Sequence, residues 1–392
     1  MNIHLTLNNV KFASRMFKQT MTLTKHGVFD KVIIYGIWDK QAEEEEWLTD
    51  KICIKRLRLK TKDLPKNLFS QIFKYLELII ILIGLLKKNN CTVFTAHSIG
   101  TLPIGVILKK IFNIKLIYDA HEYETERTGL NGVRKKMAIK FERLLIKYID
   151  SIVVVNHTIA KEYIKKYNLT DNIYVVYNCP SSNQNANQSS SSILKQLHEI
   201  PANYELFLYQ GALCQGRGIE ILLKVFSQQQ FENKVLMFMG YGHYKDKILD
   251  YARRFENIYY QQAVAMEQIA EYTSSADVGL SLIENVSLSY YYCLPNKLFE
   301  YILNGLPVLA SNFPEMQAVI KEYNVGRCIS PNDEKALINI LNNFDWHSIP
   351  ITPSKIDDIS SVFSWEKQED KLLLAYDFIP RKQKTLAREK SL

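Results

Sequence analysis

The chain has 392 residues, 47% hydrophobic and 23% charged, with 15 Gly and 11 Pro. At roughly 150 residues per domain this length predicts two domains, and the balance excludes a disordered or collagen-like chain. The net charge of +8 is uneven: residues 1–180 hold 29 basic against 17 acidic residues, while the remainder is net acidic apart from a basic stretch at 381–392, so the first half is expected to meet an anionic partner.

The opening residues, MNIHLTLNNV, lack the basic stretch and long apolar core of a signal peptide. From there, short β-branched runs alternate with helical patterns. Strands are predicted at Ile3–Leu7, Lys31–Tyr35, Ile52–Leu57, Cys91–Ala96, Lys115–Asp119, Ser151–Asn156 and Ile173–Tyr177. Between them lie helical spacings at 15–25, 67–88, 103–111, 133–149 and 157–167. Near-continuous apolar strands alternating with helices imply a parallel sheet covered on both faces.

The longest uncharged apolar run, Leu78–Leu86, is nine residues, short of the about 20 that a membrane span needs. The helix around it is expected to lie buried between sheet and neighbours. Docking on lipid is the rival reading, given the flanking Lys74, Lys87 and Lys88.

Residues 180–192, PSSNQNANQSSSS, break the composition and read as a linker. The rhythm then restarts, with strands at Leu206–Gln210, Val235–Gly240, Ile258–Gln261, Val278–Leu282 and Pro307–Ala310. Helices are predicted at 217–228, 244–254, 266–275, 296–304, 315–323 and 333–343. The six cysteines stand at least 35 residues apart without a C-x-x-C pair, so they read as thiols in a reducing compartment rather than zinc or redox motifs. Two doubly wound α/β domains place an active site in the cleft between them, at the carboxyl ends of strands.

Several residues are placed there by this pattern. His97, in FTAHSIGTLPIG, and His121, in LIYDAHEYE, each follow a strand. An imidazole there can exchange hydrogen bonds with a substrate hydroxyl, although a lone His is more often structural. In LYQGALCQGRGIEILL, Gly211, Gly216 and Gly218 let backbone approach a ligand. The helix that follows turns its N–H groups toward an anion, and Arg217 adds a charge. In SLIENVSLSYYYCLPNKLFEYILNGLPV, Pro295 can start a helix. Lys297 then opposes the helix dipole unless an anion neutralises it, beside Asn296. Glu300, one turn on, can accept from a diol. Anion donors with a diol acceptor suit a nucleoside diphosphate. An exposed helical carboxylate is the plainer reading of Glu300.

The motifs ASRMFKQTMTLTKHG, AHSIGTLPIG, YDAHEYETE, YQGALCQGRGIE, MGYG, LPNKLFEYILNGLPV and FSWEKQEDKLLLAYDF occur in this order. Together they resemble a GT-B glycosyltransferase of family 4, nearly end to end. The resemblance implies two Rossmann-like domains: an acceptor-binding domain over 1–180, a linker over 181–199 and a donor-binding domain over 200–364. A helix over 365–380 would cross back to the first domain, before a basic tail at 381–392. It further implies a retaining transfer from a nucleoside-diphosphate sugar with no metal or other cofactor. The leaving phosphate would help to deprotonate the acceptor in a front-face reaction. Arg217 matches the basic residue on the diphosphate, Glu300 the ribose-binding second acid of E-x7-E, and His121 the histidine near the transferred sugar. Gly211, Gly216, Asn296 and Lys297 complete the donor side, with Arg15 and His97 on the acceptor side. Two positions depart from the pattern: Tyr292 stands where the first acid is expected, and Ala212 where an arginine is usual.

The expected function is sugar transfer to a lipid-linked or cell-surface glycan, in the cytoplasm and peripheral to the inner face of an anionic membrane. A nucleotide-sugar epimerase, or an inactive sugar-nucleotide-binding protein, is the alternative on the same fold. Nucleic acid is not an expected partner, since no binding module is recognisable.

Overall fold

The computed structural model describes residues 1–11, 13–40, 42–65, 67–181, 192–228 and 231–378. Most of the expected linker and all of the basic tail lie outside these residues. Among the described residues two compact units emerge: unit 1 comprises Met1–Thr125, Leu130–Val176 and the described residues from Glu369, and unit 2 comprises Glu126–Gly129 and Tyr177–Gln368.

Unit 1 runs β1 (Asn2–Leu5), α1 (Ser14–Lys25), β2 (Val32–Ile37), β3 (Glu45–Thr49), β4 (Ile52–Leu57), α2 (Leu68–Lys87), β5 (Val93–His97), α3 (Leu102–Phe112), β6 (Lys115–Asp119), α4 (Gly132–Leu145), β7 (Ser151–Val154), α5 (His157–Tyr167) and β8 (Ile173–Val175). Its sheet has the order β3-β4-β2-β1-β5-β6-β7-β8. β3 pairs antiparallel with β4, and the other neighbours are parallel. The sequence did not announce β3. EEWLT has no buried face, and its charges suit an exposed edge strand.

The connections β4 to β5, β5 to β6 and β6 to β7 all step the same way across the sheet. Right-handed crossovers therefore set α2, α3 and α4 on one face. Two of these helices depart from the buried, apolar-inward pattern. In α2, Leu78, Leu82 and Leu86 pack inward at four-residue spacing, while Phe69, Ile72, Phe73, Leu76 and Ile80 are exposed. The expectation of a buried helix is thus corrected, because only one stripe of an all-round apolar helix finds neighbours. Taken over Phe69–Lys87, this helix is also long and apolar enough to cross a membrane by length and composition, although most of its residues are not buried.

Helix α4 is turned inside out. Val133, Met137, Phe141 and Leu144 are exposed, and its buried residue is Glu142. The Glu142 carboxylate accepts from Tyr118 Oη at 2.7 Å, Tyr163 Oη at 2.9 Å and Tyr167 Oη. Burial raises its pKa above the usual carboxylate range.

Unit 2 runs α6 (Ile193–Leu197), β9 (Glu205–Ala212), α7 (Ile219–Gln228), β10 (Lys234–Tyr241), α8 (Lys245–Arg254), β11 (Ile258–Gln262), α9 (Ile269–Thr273), β12 (Val278–Ser281), α10 (Leu288–Tyr291), α11 (Asn296–Leu303), β13 (Val308–Ser311), α12 (Pro314–Tyr323), β14 (Gly326–Ile329), α13 (Glu334–Asn343) and α14 (Pro353–Phe363). Its sheet, β11-β10-β9-β12-β13-β14, is parallel throughout. The end of the expected linker is α6, held by buried Leu194. Phe207, Phe226, Phe238 and Trp346 centre the core. β14, missed in the sequence, reads GRCI, too short and too polar to signal a strand.

A last helix, α15 (Trp365–Leu374), passes from unit 2 into unit 1 at Glu369. Glu369 accepts from Lys25 Nζ at 2.9 Å and Thr22 Oγ1 at 3.3 Å. Beyond the helix, the Ser151 hydroxyl donates to Ala375 O at 2.8 Å.

Candidate active site

In unit 1 the predicted residues Arg15, His97 and His121 come together on Asp119, the strand-end neighbour that could orient the His121 ring. β5 and β6 end side by side, with His97 opposite Asp119. His121 follows two residues later. Arg15 and Gln19 lie four apart on α1 and so share a face. The Arg15 Nη2 donates to Asp119 Oδ1 at 3.0 Å, and its Nη1 donates to Val176 O at 2.9 Å. Gln19 Nε2 donates to Asp119 Oδ2 at 3.0 Å. His97 Nδ1 and His121 Nε2 stand 3.1 and 2.9 Å from that same oxygen, and 2.9 Å from each other.

Burial alone would raise the Asp119 pKa, but Arg15, His121 and His97 hold it well below the usual range. His97 is fully enclosed, and burial pushes it down to about 4. His121 keeps 34% of its side chain exposed, so it is the member of the cluster that can meet a ligand. Arg15, expected on the acceptor side, points inward, 6% exposed.

Among the described residues, His97, Asp119 and His121 bring ligand atoms within 4.8 Å of one another, a spacing that could hold a metal ion. Arg15 already neutralises that carboxylate, and Gln19 fills part of its oxygen. A divalent ion beside a buried guanidinium would meet direct repulsion. The cluster fits an ion pair with two imidazole donors better than a metal site.

In unit 2, β9 carries Gly211 near its end and leads into the loop that carries Gly216 and Arg217. Gly218 is required there: its φ is +72°, and an added Cβ would come within 2.5 Å of the Leu282 carbonyl oxygen. Gly240 is equally constrained, since a Cβ would strike Gly211 O at 1.9 Å. Pro295 caps α11, and Asn296 and Lys297 open it as predicted.

Lys297 is buried, and its Nζ has no hydrogen-bond partner. It lies 3.7 Å from the centroid of the Tyr209 ring. Burial, with Arg217 nearby, pulls its pKa down to about 7. Arg217 stacks 4.6 Å over Tyr290, and its buried Nε is likewise without a hydrogen-bond partner. Two cations held on aromatic rings with unfilled donors form a receptor for an anion.

Glu300 accepts from Gln210 Nε2 at 2.5 Å and from Asn296 Nδ2, and Gln210 Oε1 accepts from Thr273 Oγ1 at 2.8 Å. Tyr292, in place of the first acid, is half-buried after α10. Glu284 accepts from Gly218 N at 3.4 Å.

Residues 23–180 match the family model Glycosyltransferase Family 4, and residues 190–344 match Glycosyl transferases group 1. A Klebsiella pneumoniae protein described as an uncharacterized 41.2 kDa protein in the cps region is 25% identical over 300 residues, covering 72% of this chain and 78% of its own. Sucrose-phosphate synthase from Thermosynechococcus elongatus superposes with a TM-score of 0.77 at 15% identity, over 96% of this chain and 98% of its own. Anabaena HepE, solved with UDP-glucose, gives 0.73 at 13% identity, over 96% and 99%. With two α/β units of this topology, the chain has the fold of the GT-B glycosyltransferases, and each of its halves matches a glycosyltransferase family model.

Proposed function

We propose that the protein transfers a sugar from a nucleoside-diphosphate sugar to a lipid-linked or cell-surface glycan, as a retaining member of family 4. The observation that carries this reading is the pair Arg217 and Lys297, cations with buried, unfilled donors at the start of two helices. Breaking a sugar–phosphate bond builds charge on the leaving diphosphate. Preorganised cations out of bulk water stabilise such charge as it develops. In this reading they do so without a metal, Glu300 takes the ribose, and His121 of unit 1 meets the transferred sugar. HepE was solved with UDP-glucose, which makes a UDP-sugar the first donor to test. Calorimetry against UDP-, GDP- and ADP-sugars is expected to show binding to one nucleotide class. Binding to none of them sinks the reading.

The acceptor and the membrane belong to unit 1 in this reading. On one face of its sheet, α4 exposes Val133, Met137, Phe141 and Leu144 among the exposed Arg134, Lys136, Lys140 and Arg143. α2 adds Phe69, Phe73 and Ile80. Apolar side chains ringed by basic ones suit an anionic lipid surface. The protein should co-sediment with phosphatidylglycerol vesicles at low salt, bind phosphatidylcholine less, and release as salt screens the charges. Phe141→Glu, on an exposed position, should weaken that binding by at least about tenfold, since burying a Phe side chain is worth roughly 1.5–3 kcal/mol. Equal binding of parent and variant would overturn this assignment. So would a parent dimer that Phe141→Glu dissolves, without vesicle binding.

A further inference from the structure

Behind Asp119 runs a row of buried polar side chains that the reaction itself does not call for. In β1, Asn2 and His4 share one face of the strand, as Thr95 and His97 do in β5. The register of the two strands sets His4 beside Thr95. Tyr376, from the segment after α15, reaches the same face. All of these side chains are nearly or fully enclosed.

The directions of their hydrogen bonds can be read from the chemistry. Thr95 Oγ1 donates to Asn2 Oδ1 at 3.4 Å, so Asn2 turns its Nδ2 to His4 Nε2 at 2.8 Å. An amide nitrogen only donates, so His4 Nε2 holds a lone pair and its Nδ1 holds the proton. That Nδ1 lies 2.8 Å from His97 Nε2, which must accept. His97 therefore carries its proton on Nδ1, the atom 3.1 Å from Asp119 Oδ2. The far end demands the same polarity independently, because a lone pair set against a carboxylate would be repelled. At the near end the Thr95 hydroxyl, spent on Asn2, accepts from Tyr376 Oη at 3.0 Å. Every donor points toward Asp119.

We propose that Tyr376, Thr95, Asn2, His4 and His97 form a tautomer lock on His121, a set of positioning residues for its outward-facing nitrogen. The proposal rests on the reading of His121 given above. With Nε2 filled by His4 and its Nδ1–H committed to Asp119, His97 has no lone pair to offer. His121 Nε2–H is left with the Asp119 carboxylate, 2.9 Å away, and its Nδ1 faces outward as an acceptor. A proton taken from a ligand by that atom stays there and returns outward, because the row behind is interrupted by an amide, Asn2, that neither gains nor loses protons. Burial supports the neutral state of both inner rings, holding His4 well below the usual histidine range and His97 near 4.

Imidazole ¹⁵N resonances of the labelled full chain test the lock directly. At neutral pH, His4 and His97 are expected as Nδ1–H tautomers and His121 as Nε2–H. A parent His97 in the Nε2–H form overturns the proposal. Three variants test its effect. His4→Leu removes the donor, His4→Asn keeps an N–H near the position of Nδ1, and Tyr376→Phe removes only the first hydroxyl. His4→Leu should lower turnover at least about tenfold, within the ~10²–10⁴-fold contribution of the group it positions, with donor KM unchanged and most of the loss restored in His4→Asn. Tyr376→Phe should move the His4 and His97 resonances, and it keeps the test open if His4→Leu does not fold. Parent-like turnover in His4→Leu, beside an inactive His121→Ala, overturns the lock and leaves the role of His121 standing. Full activity in His121→Ala overturns that role instead, and the parent tautomers are read separately.

Discussion

Replacing His121 by alanine is expected to slow sugar transfer by about 10²–10⁴-fold, the usual weight of a group acting in proton transfer, while nucleotide affinity stays near that of the parent. The two halves of this expectation have different origins. His121 lies in unit 1, whereas the candidate nucleotide site is built from β9, α7 and α11 in unit 2. A side chain that acts on the reacting centre contributes more in the transition state than in donor binding. The fold should tolerate the change. His121 is part exposed, and without it Asp119 still receives Arg15, Gln19 and His97. Single-turnover rates beside calorimetric donor affinity make the comparison, with melting curves to confirm folding. Parent-like turnover would return His121 to a structural role.

Removing either Arg217 or Lys297 should act the other way round, on affinity first. A charge-assisted hydrogen bond is worth roughly 1.5–3 kcal/mol, so Arg217→Ala and Lys297→Ala should each raise the donor Kd by roughly 10- to 150-fold. For Lys297 there is a second signature. Its pKa is held at about 7 by burial and by Arg217, and a bound diphosphate would raise it. Its contribution to binding is then fully present below about pH 7 and is lost as pH rises toward the bound-state value. Above pH 7 binding should take up a proton, seen as a calorimetric enthalpy that depends on the buffer. Lys297→Ala should abolish that uptake. It also removes an uncompensated buried charge, so the nucleotide-free variant should melt no lower than the parent. Undiminished affinity in both variants would dissolve the proposed diphosphate site.

The residues that announced themselves in the sequence are those whose chemistry is local. Apolar β-branched runs fix buried parallel strands wherever they occur, so β4 and β6 were placed to the residue. The glycine loop and PNK at the head of α11 likewise follow from short-range backbone rules. What depended on register stayed hidden. Asn2 and His4 are ordinary residues until β1 is laid beside β5, although a histidine amid the apolar residues of a central strand was a signal that could have been read. Asp119 was readable as a neighbour that could orient His121, but only the approach of Arg15 from α1 shows that it organises the whole cluster. β3 was invisible because an exposed edge strand buries neither face. The exposure of α2 and α4 was hidden because helical periodicity reports how apolar residues are arranged, not whether a neighbour covers them.

Helix α4 has a consequence for engineering. Its one fully buried side chain is polar and points inward, a carboxylate clasped by three phenols. Its outward residues therefore carry almost no packing energy, and the fold does not constrain their identity. Solubility, surface charge and partner choice can be rewritten at Val133, Met137, Phe141 and Leu144 with little effect on melting. A single change at Glu142, such as Glu142→Leu, would take the shared acceptor from three tyrosine hydroxyls at once.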